Sequence, residues 1–435
     1  MTSLIAFACL APLNTVTAPT SYKKIDPLLE ELSYKAFKFF MEQSHPKTGM
    51  TLDRANNTKD EPRTEYVSSC AATGFHLAAI AVGSERGWIS KEDAKVRARK
   101  VLKSLEELPL RHKGWFIHWL DWETGKRLWN SEVSTIDTGI LLAGMIMADS
   151  ALNDKEIKER VSRIHGAIDW DYMRTDGGAK PDSMTFTMGW TEGRGFIEAR
   201  WDICNELKVL LIPALGSDKV PAEMWSAWTR EPIKQNGREF LMSGPLFLHQ
   251  MAHGFYPFEG YRDPEGWDYW VAARNAVLDN RDYCIQNPKK FKGYSAEIWG
   301  LSAADGKEGY RAWGAPPKLY EDDGTIAPSS TVACMPYIPD IVLKSTHAFK
   351  RDYPELLGRY GFAISFNPTK NWASPDVIGI DLGQMLLAVE NYRDGLPHKL
   401  SMKHPLIKKA YKRIGFQKTK EGALDSRPLR VKAKR

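Results

Sequence analysis

Five cysteines, Cys9, Cys70, Cys204, Cys284 and Cys334, are scattered over 435 residues with no CxxC spacing. That excludes a disulfide framework and a cysteine zinc site. No GxSxG, HExxH, P-loop or GxGxxG stands in a context that would support its chemistry, so the enzyme classes read from those motifs drop out. His249 and His253 are four apart, a metal-binding spacing on a helix, but a third ligand is missing, and neither metal nor cofactor is expected. Charge of one sign is also scarce: the net +6 is small for this length. Four Lys and three Arg against two acids lie in 418–435, without the interleaved aromatics of a nucleic-acid arm. Past the N-terminus no segment reads as apolar enough for a membrane span.

The ends are expected to stand apart from the body. Leu4-Ile5-Ala6-Phe7-Ala8-Cys9-Leu10-Ala11 is a short apolar run, and Val16-Thr17-Ala18 resembles the end of a secretory signal, although no basic residues precede the run and Pro19 follows Ala18. Residues 1–24 are therefore read as signal peptide and leader, with a periplasmic or secreted destination. Residues 417–435 are read as a basic, disordered tail.

Between the ends the sequence reads as almost entirely helical. Leu28, Leu29, Leu32, Ala36, Phe39 and Phe40 give the i, i+3, i+4 rhythm of an amphipathic helix over 25–43. An apolar stretch, 66–82, then precedes one with a polar face, 90–107, and the couplet recurs. Residues 137–150 are apolar all round, and 155–168 are charged on one face. Further couplets are 201–215 with 222–228, 246–255 with 267–287, 325–339 with 342–353, and 379–392 with 404–414. Thr73-Gly74-Phe75-His76-Leu77-Ala78-Ala79 is echoed by Thr138-Gly139-Ile140-Leu141-Leu142-Ala143-Gly144. Helices apolar all round are buried and one-faced helices lie outside. About six couplets therefore predict two concentric layers, an all-α (α/α)6 barrel forming one domain over 25–416.

What the sequence has in abundance is acids at helix starts, among 15 Trp. Asp137, Glu206, Glu297 and Asp381 each precede a short apolar stretch of small residues. If these stretches are the inner helices, the four carboxyls converge at one end of the barrel. Paired carboxyls and flat apolar rings are what glycosidic-bond cleavage requires. Glu is a poor N-cap, which favours a chemical role for Glu206. On a helix, Asp202 would stand four residues from it and raise one of the two pKa values. Asp137 and Asp381 fit capping as well as chemistry. Trp115, Trp119 and Trp122, with Trp190, fit sugar-stacking platforms or core packing.

The ordered motifs resemble a known family. Ser134-Thr135-Ile136-Asp137-Thr138, Met188-Gly189-Trp190-Thr191, Arg200-Trp201-Asp202 with Asn205-Glu206, and Pro245-Leu246-Phe247 with His249-Gln250 are its first landmarks. Glu297-Ile298-Trp299-Gly300-Leu301, Tyr310-Arg311-Ala312, Gly314-Ala315-Pro316-Pro317 and Asp323-Gly324-Thr325-Ile326-Ala327-Pro328 follow. Arg359-Tyr360-Gly361-Phe362, Gly379-Ile380-Asp381 and Glu390-Asn391-Tyr392-Arg393 complete the set. From about Ala36 to Phe416 the chain resembles the bacterial glycoamylase-like family, in its endo-β-1,2-glucanase branch, glycoside hydrolase family 144. More distantly it resembles the transglycosylating domain of cyclic β-1,2-glucan synthases. It departs from the pattern at Ser295-Ala296 and at Thr138-Gly139.

The resemblance implies an (α/α)6 barrel acting on a glycan, with Glu206 as general acid and Glu297 at the position of the transglycosylating relatives' nucleophile. The expected function is an inverting endo-β-1,2-glucanase, with Asp137 or Asp381 as the opposed base. A retaining enzyme using Glu206 and Glu297, or a glycan-binding barrel without catalysis, are the alternatives. Trp119, Trp190, Arg200, Trp201, His249, Trp299, Trp313 and Tyr360 form the expected substrate-binding set. The partner is an oligo- or polysaccharide, and the sequence leaves oligomeric state open.

Overall fold

The computed structural model describes residues 23–59, 66–108, 110–242, 244–315, 320–419 and 427–431. Most of the expected leader, 1–22, lies outside the described residues. Fourteen α-helices dominate the described residues. The first seven are α1 (Pro27–Glu42), α2 (Cys70–Arg86), α3 (Lys91–Glu107), α4 (Thr135–Leu152), α5 (Lys155–Gly166), α6 (Trp170–Arg174) and α7 (Lys208–Gly216). The rest are α8 (Phe247–Phe255), α9 (Tyr269–Gln286), α10 (Pro328–Val332), α11 (Pro339–Asp352), α12 (Gly379–Asp394), α13 (Leu396–Lys403) and α14 (Pro405–Ile414).

Helices α2, α4, α7, α8 and α12 touch in that order, and α12 returns to α2, so the inner helices close a ring. These are largely the stretches that read as apolar all round. Their small residues explain how closely they pack. A Cβ on Gly144 of α4 would fall 1.8 Å from the carbonyl oxygen of Gly74 on α2, and one on Gly139 would fall 2.7 Å from Cα of Leu210 on α7. The Thr-Gly echo at 73–79 and 138–144 is thus a pair of helices in backbone contact. One-faced helices lie outside: α3 packs on α2 and α5, α5 on α4, and α14 on α7. In α3 only one stripe is buried, through Ala94, Ala98, Val101, Leu102 and Leu105.

The structure corrects several expectations. Helix α4 is long and apolar enough to cross a membrane by length and composition, but 72% of it is buried inside the protein. The stretch 201–206 is not helical, and helix starts only at Lys208. Short antiparallel strands, most in two-stranded pairs, fill the connections that read as loops or helix. Their role is to hold one end of the ring: Arg54–Asn56 pairs with Asp376–Ile378, and Val67–Ser69 with Trp119–Asp121. The expected tail is ordered over its described parts. Gln417–Lys418 pairs with Tyr261–Arg262, Leu429 is buried, and Arg430 lies over the Trp267 ring. Arg430 is committed to that contact, a cation–π arrangement that charge counting along the sequence misses.

Ring closure between α2 and α12 carries a buried ion pair. Arg86 binds Glu390 through Nε and Asp394 through both terminal nitrogens, and Ser33 of α1 donates to Glu390 at 2.7 Å. Arg86→Leu should cost about 3–5 kcal/mol, because a carboxylate is left buried without its main partner. Arg393, 3.4 Å from Glu390, places the expected loss toward the lower end. Chemical denaturation measures it, and a shift below about 1 kcal/mol, the range of an exposed pair, would contradict the assignment.

Candidate active site

Three of the four acids come together, each at the start of an inner helix. Asp137 sits in the first turn of α4, where the N-cap Ser134 accepts from its backbone N–H and donates to its Oδ2 at 2.5 Å. The cap is therefore Ser134, which leaves the Asp137 carboxyl turned toward its neighbours. Glu206 stands two residues before α7, whose N-cap Leu207 has no side-chain cap, and the local turn there is held by Asn205, whose Oδ1 accepts from Leu207 N–H at 2.9 Å. Asp381 lies in the first turn of α12; it is 5% exposed, and Ser330 Oγ is 3.5 Å from its Oδ1. Its Oδ2 is buried with no hydrogen-bond partner.

A helix N-terminus favours a charged carboxylate by about 0.3–1 kcal/mol. Here burial outweighs it. The Glu206 carboxyl is pushed up to about 8 by burial and then by the negative charge of Asp137, against a smaller opposing pull from Lys208. Asp381 is likewise pushed up to about 8 by burial, with Asp53 and Asp305 adding to it. Asp202, expected to perturb Glu206 from one helical turn away, is exposed on non-helical backbone and takes no part. Glu206 itself keeps part of its surface open to solvent although protein surrounds it closely. Both facts hold for a group on the floor of a depression.

A second set of residues, none of them among the expected site residues, joins these acids. His118 Nδ1 is 2.8 Å from Glu132 Oε1, and its Nε2 is 3.7 Å from Asp137 Oδ2. Burial alone would lower its pKa, but Asp137, Glu132 and Asp53 raise it to about 9, so it is an imidazolium at neutral pH. Asp53 is buried beside Arg54, whose guanidinium also reaches Asp305 at 3.1 Å and Asp376 at 3.7 Å. Tyr310, on the hairpin Ala303–Gly306/Gly309–Ala312, is 49% exposed. Crowding by protein and the charges of Asp381, Asp53, Glu206 and Asp305 nevertheless push its hydroxyl well above the ordinary range. A side chain both open and crowded lines a concave wall, and this one faces both Glu206 and Asp381.

His118, Glu132 and Asp137 are also spaced to hold a metal ion, with their ligand atoms all within 4.8 Å. The imidazolium reading accounts for the same geometry. Sequence signals for this set were thin. Asp53-Arg54 lies outside any periodic stretch, and His118 is hidden in a run dominated by tryptophan.

Glu297 does not join the other acids. Its side chain is 46% exposed in a non-helical segment and binds Arg351 of α11 at 3.1 Å. Of the expected sugar-binding residues, Trp299 and Tyr360 are core rings at 0% exposure. Trp299 Nε1 donates to Ser345, and the Tyr360 hydroxyl is held by Gln43 and Glu42. Trp313 and Trp201 are also buried, donating to Ala304 O and Thr135 Oγ1. Arg200 is taken up by Asp176 and by the backbone around 174–185. His249 is buried in α8, and burial lowers its pKa to about 3. Sequence patterning cannot tell a wet aromatic from a dry one, and these fell on the dry side. Trp119 and Trp190 keep accessible faces: Trp119 stacks on His118 at 4.0 Å and Trp190 on His112 at 3.9 Å between centroids. Trp129, 64% exposed and 6.2 Å from Trp119, extends the first platform.

Known proteins resemble this chain in sequence and in fold. The Glycoamylase family model, described as a putative glucoamylase, matches residues 198–405, which include Glu206 and Asp381. An exo β-1,2-glucooligosaccharide sophorohydrolase (non-reducing end) of Parabacteroides distasonis is 26% identical over 443 residues. That match covers 92% of this chain but 59% of the relative, so the chain spans about three-fifths of that protein's length. The solved structure of an endo-β-1,2-glucanase from Chitinophaga pinensis, complexed with sophorotriose and glucose, is 28% identical with a TM-score of 0.82. It covers 90% of this chain and 98% of its own. An endo-β-1,2-glucanase from Talaromyces funiculosus bound to sophorose shares the fold alone, at TM-score 0.64 and 11% identity over 94% of this chain and 92% of its own. The glycoamylase-like resemblance carried by the ordered sequence motifs is thereby shown.

Proposed function

We propose that this glycoamylase-like chain is a glycoside hydrolase that cleaves β-1,2-glucan with inversion, on an (α/α)6 barrel spanning 25–416 and working in the periplasm or outside the cell. The observation that carries the reading is Glu206: a carboxyl that holds its proton to about pH 8 on the floor of an aromatic-edged depression. Glu206 donates that proton to the glycosidic oxygen as the bond breaks. Asp381 is the base. Its Oδ2 has no competing partner, and its raised proton affinity makes the ionised form, populated as pH approaches about 8, a strong base. Asp137 touches neither proton; its charge, fixed beside His118, adds to the burial that keeps Glu206 protonated. Trp119 and Trp190 offer flat faces to the sugar rings. The likeness to a sophorotriose-bound endo-β-1,2-glucanase over nearly all of both chains supports β-1,2-glucan as the substrate and internal cleavage as the mode.

A panel of β-1,2-, β-1,3-, β-1,4- and α-1,4-glucans tests the assignment: oligosaccharides should appear from the β-1,2-glucan alone. Release from another linkage only, or from none, would contradict it.

The pH profile follows from the same groups. Glu206 must be protonated, so kcat/KM should fall as pH rises through about 8. Asp381 must be ionised, and because it too is pushed up to about 8, the acid limb should lie above the ordinary carboxylate range. The result is a narrow bell. Asp137→Asn removes the charge that raises Glu206, so the alkaline limb should move to lower pH. An alkaline limb unmoved by Asp137→Asn would overturn that role.

A further inference from the structure

Deeper in the ring, beyond the acids, lies a cavity of about 320 Å³. Asp381, Gln384, Ala388, Asn391 and Tyr392 fall on one stripe of α12, and the last four line this cavity. Ten residues of helix separate Asp381 from Asn391, roughly 15 Å at 1.5 Å per residue. The cavity therefore begins at Gln384, one turn from Asp381, and extends toward the opposite ends of the inner helices from the catalytic carboxyls. Gln250 and His253 of α8 form another wall, with Tyr256 just beyond.

Three polar atoms on these walls are buried without a hydrogen-bond partner: Gln250 Oε1, His253 Nδ1 and the Tyr256 hydroxyl. Their residues are 3%, 8% and 0% exposed. The rest of Gln250 is committed, since its Nε2 donates to Ser330 O at 2.7 Å. Folded proteins rarely leave even one such atom unpaired, and three around one space call for a partner inside it. Among the described lining residues the interior is uncharged. Burial holds His253 well below its usual pKa and brings His398 down to about 4, so both are neutral at pH 7. The charged lining residues, Lys23 and Glu259, are exposed and stand at the mouth, with Lys23 over the Tyr392 ring. Trp270 and Tyr337 add aromatic wall.

We propose that this cavity is a second ligand site, separate from the catalytic depression, for a neutral hexose-sized sugar. An amide, an imidazole and a phenol with free hydrogen-bonding capacity suit hydroxyl groups, and aromatic walls suit the apolar face of a pyranose. The volume is at the small end of the about 300–1,000 Å³ typical of ligand sites, enough for a monosaccharide or one end of a disaccharide. Among the described residues that line it, none offers an ionic partner inside for an anion or a cation.

The test is a glucose titration of the full chain by ligand-detected NMR, with hydrogen exchange in parallel. Saturable binding and slowed exchange over 250–258 and 384–398 are expected. Ala388→Phe and Ala333→Phe each place a ring in the cavity, and both should weaken this binding by about tenfold or more while hydrolysis of β-1,2-glucan continues. Thermal melts establish that the variants are folded. Should both fail to fold, wild-type exchange decides: no protection of those two segments overturns the site. Glucose binding unchanged in both folded variants, or none in the wild type, also overturns it. Glucan hydrolysis without this binding would sink the second site alone. Binding without hydrolysis of any glucan would instead sink the proposed reaction.

Discussion

Glu206→Gln should lower kcat on β-1,2-glucan by about 10²–10⁴-fold or more, the usual worth of general acid–base assistance. The amide keeps the shape and hydrogen-bonding capacity of the acid but has no proton to give. KM should change little, because the platforms at Trp119 and Trp190 are untouched. Stability separates this role from a structural one. A carboxyl whose folded pKa lies above its unfolded value holds a proton in the native state that the unfolded chain has released. Between about pH 4.5 and about 8 Glu206 therefore makes stability fall as pH rises. The Gln variant lacks that liability, so its thermal midpoint at pH 8 should equal or exceed that of the wild type. Near-normal turnover from folded protein would rule Glu206 out as the acid.

Asp381→Asn should be nearly as damaging, again by about 10²–10⁴-fold in kcat, if its carboxylate draws the proton from water. The fold should tolerate it, since Asp381 has only the long contact from Ser330 to lose. Glu297→Gln is the matched comparison. Its ion pair with Arg351 is half-exposed, a class worth about 0–1 kcal/mol. Turnover should stay within about twofold of wild type, since the group is remote from the reacting bond. A large loss at Glu297 with little at Asp381 would return the reaction to a retaining pathway through Glu206 and Glu297.

The ring of helices was legible because its signal is redundant. Helices α2 and α4 read as apolar all round, with Gly and Ala where two backbones must meet, and Gly74, Gly139 and Gly144 turn out to stand at those contacts. The acids were legible for the same reason: an N-terminal position on a buried helix is a local property, and buried inner helices share an end. Glu297 shows the limit. It too precedes an apolar run, Ile298 to Leu301, but that run is buried loop rather than helix, so position in sequence no longer fixed position in space. The platforms were the least legible part. Trp299 and Trp119 differ in which side of a wall they stand on, and only tertiary packing decides that. His118, Asp53 and Tyr310 come from three separate connections and become a set only where strands fold them over the helix ends.

The anomeric form of the first product tests the account most directly. Proton NMR, recorded within the first minutes of β-1,2-glucan hydrolysis before mutarotation, should show the α-anomer at the new reducing end, formed by water entering opposite Glu206. A first product in the β-form would contradict inversion and Asp381 as the base.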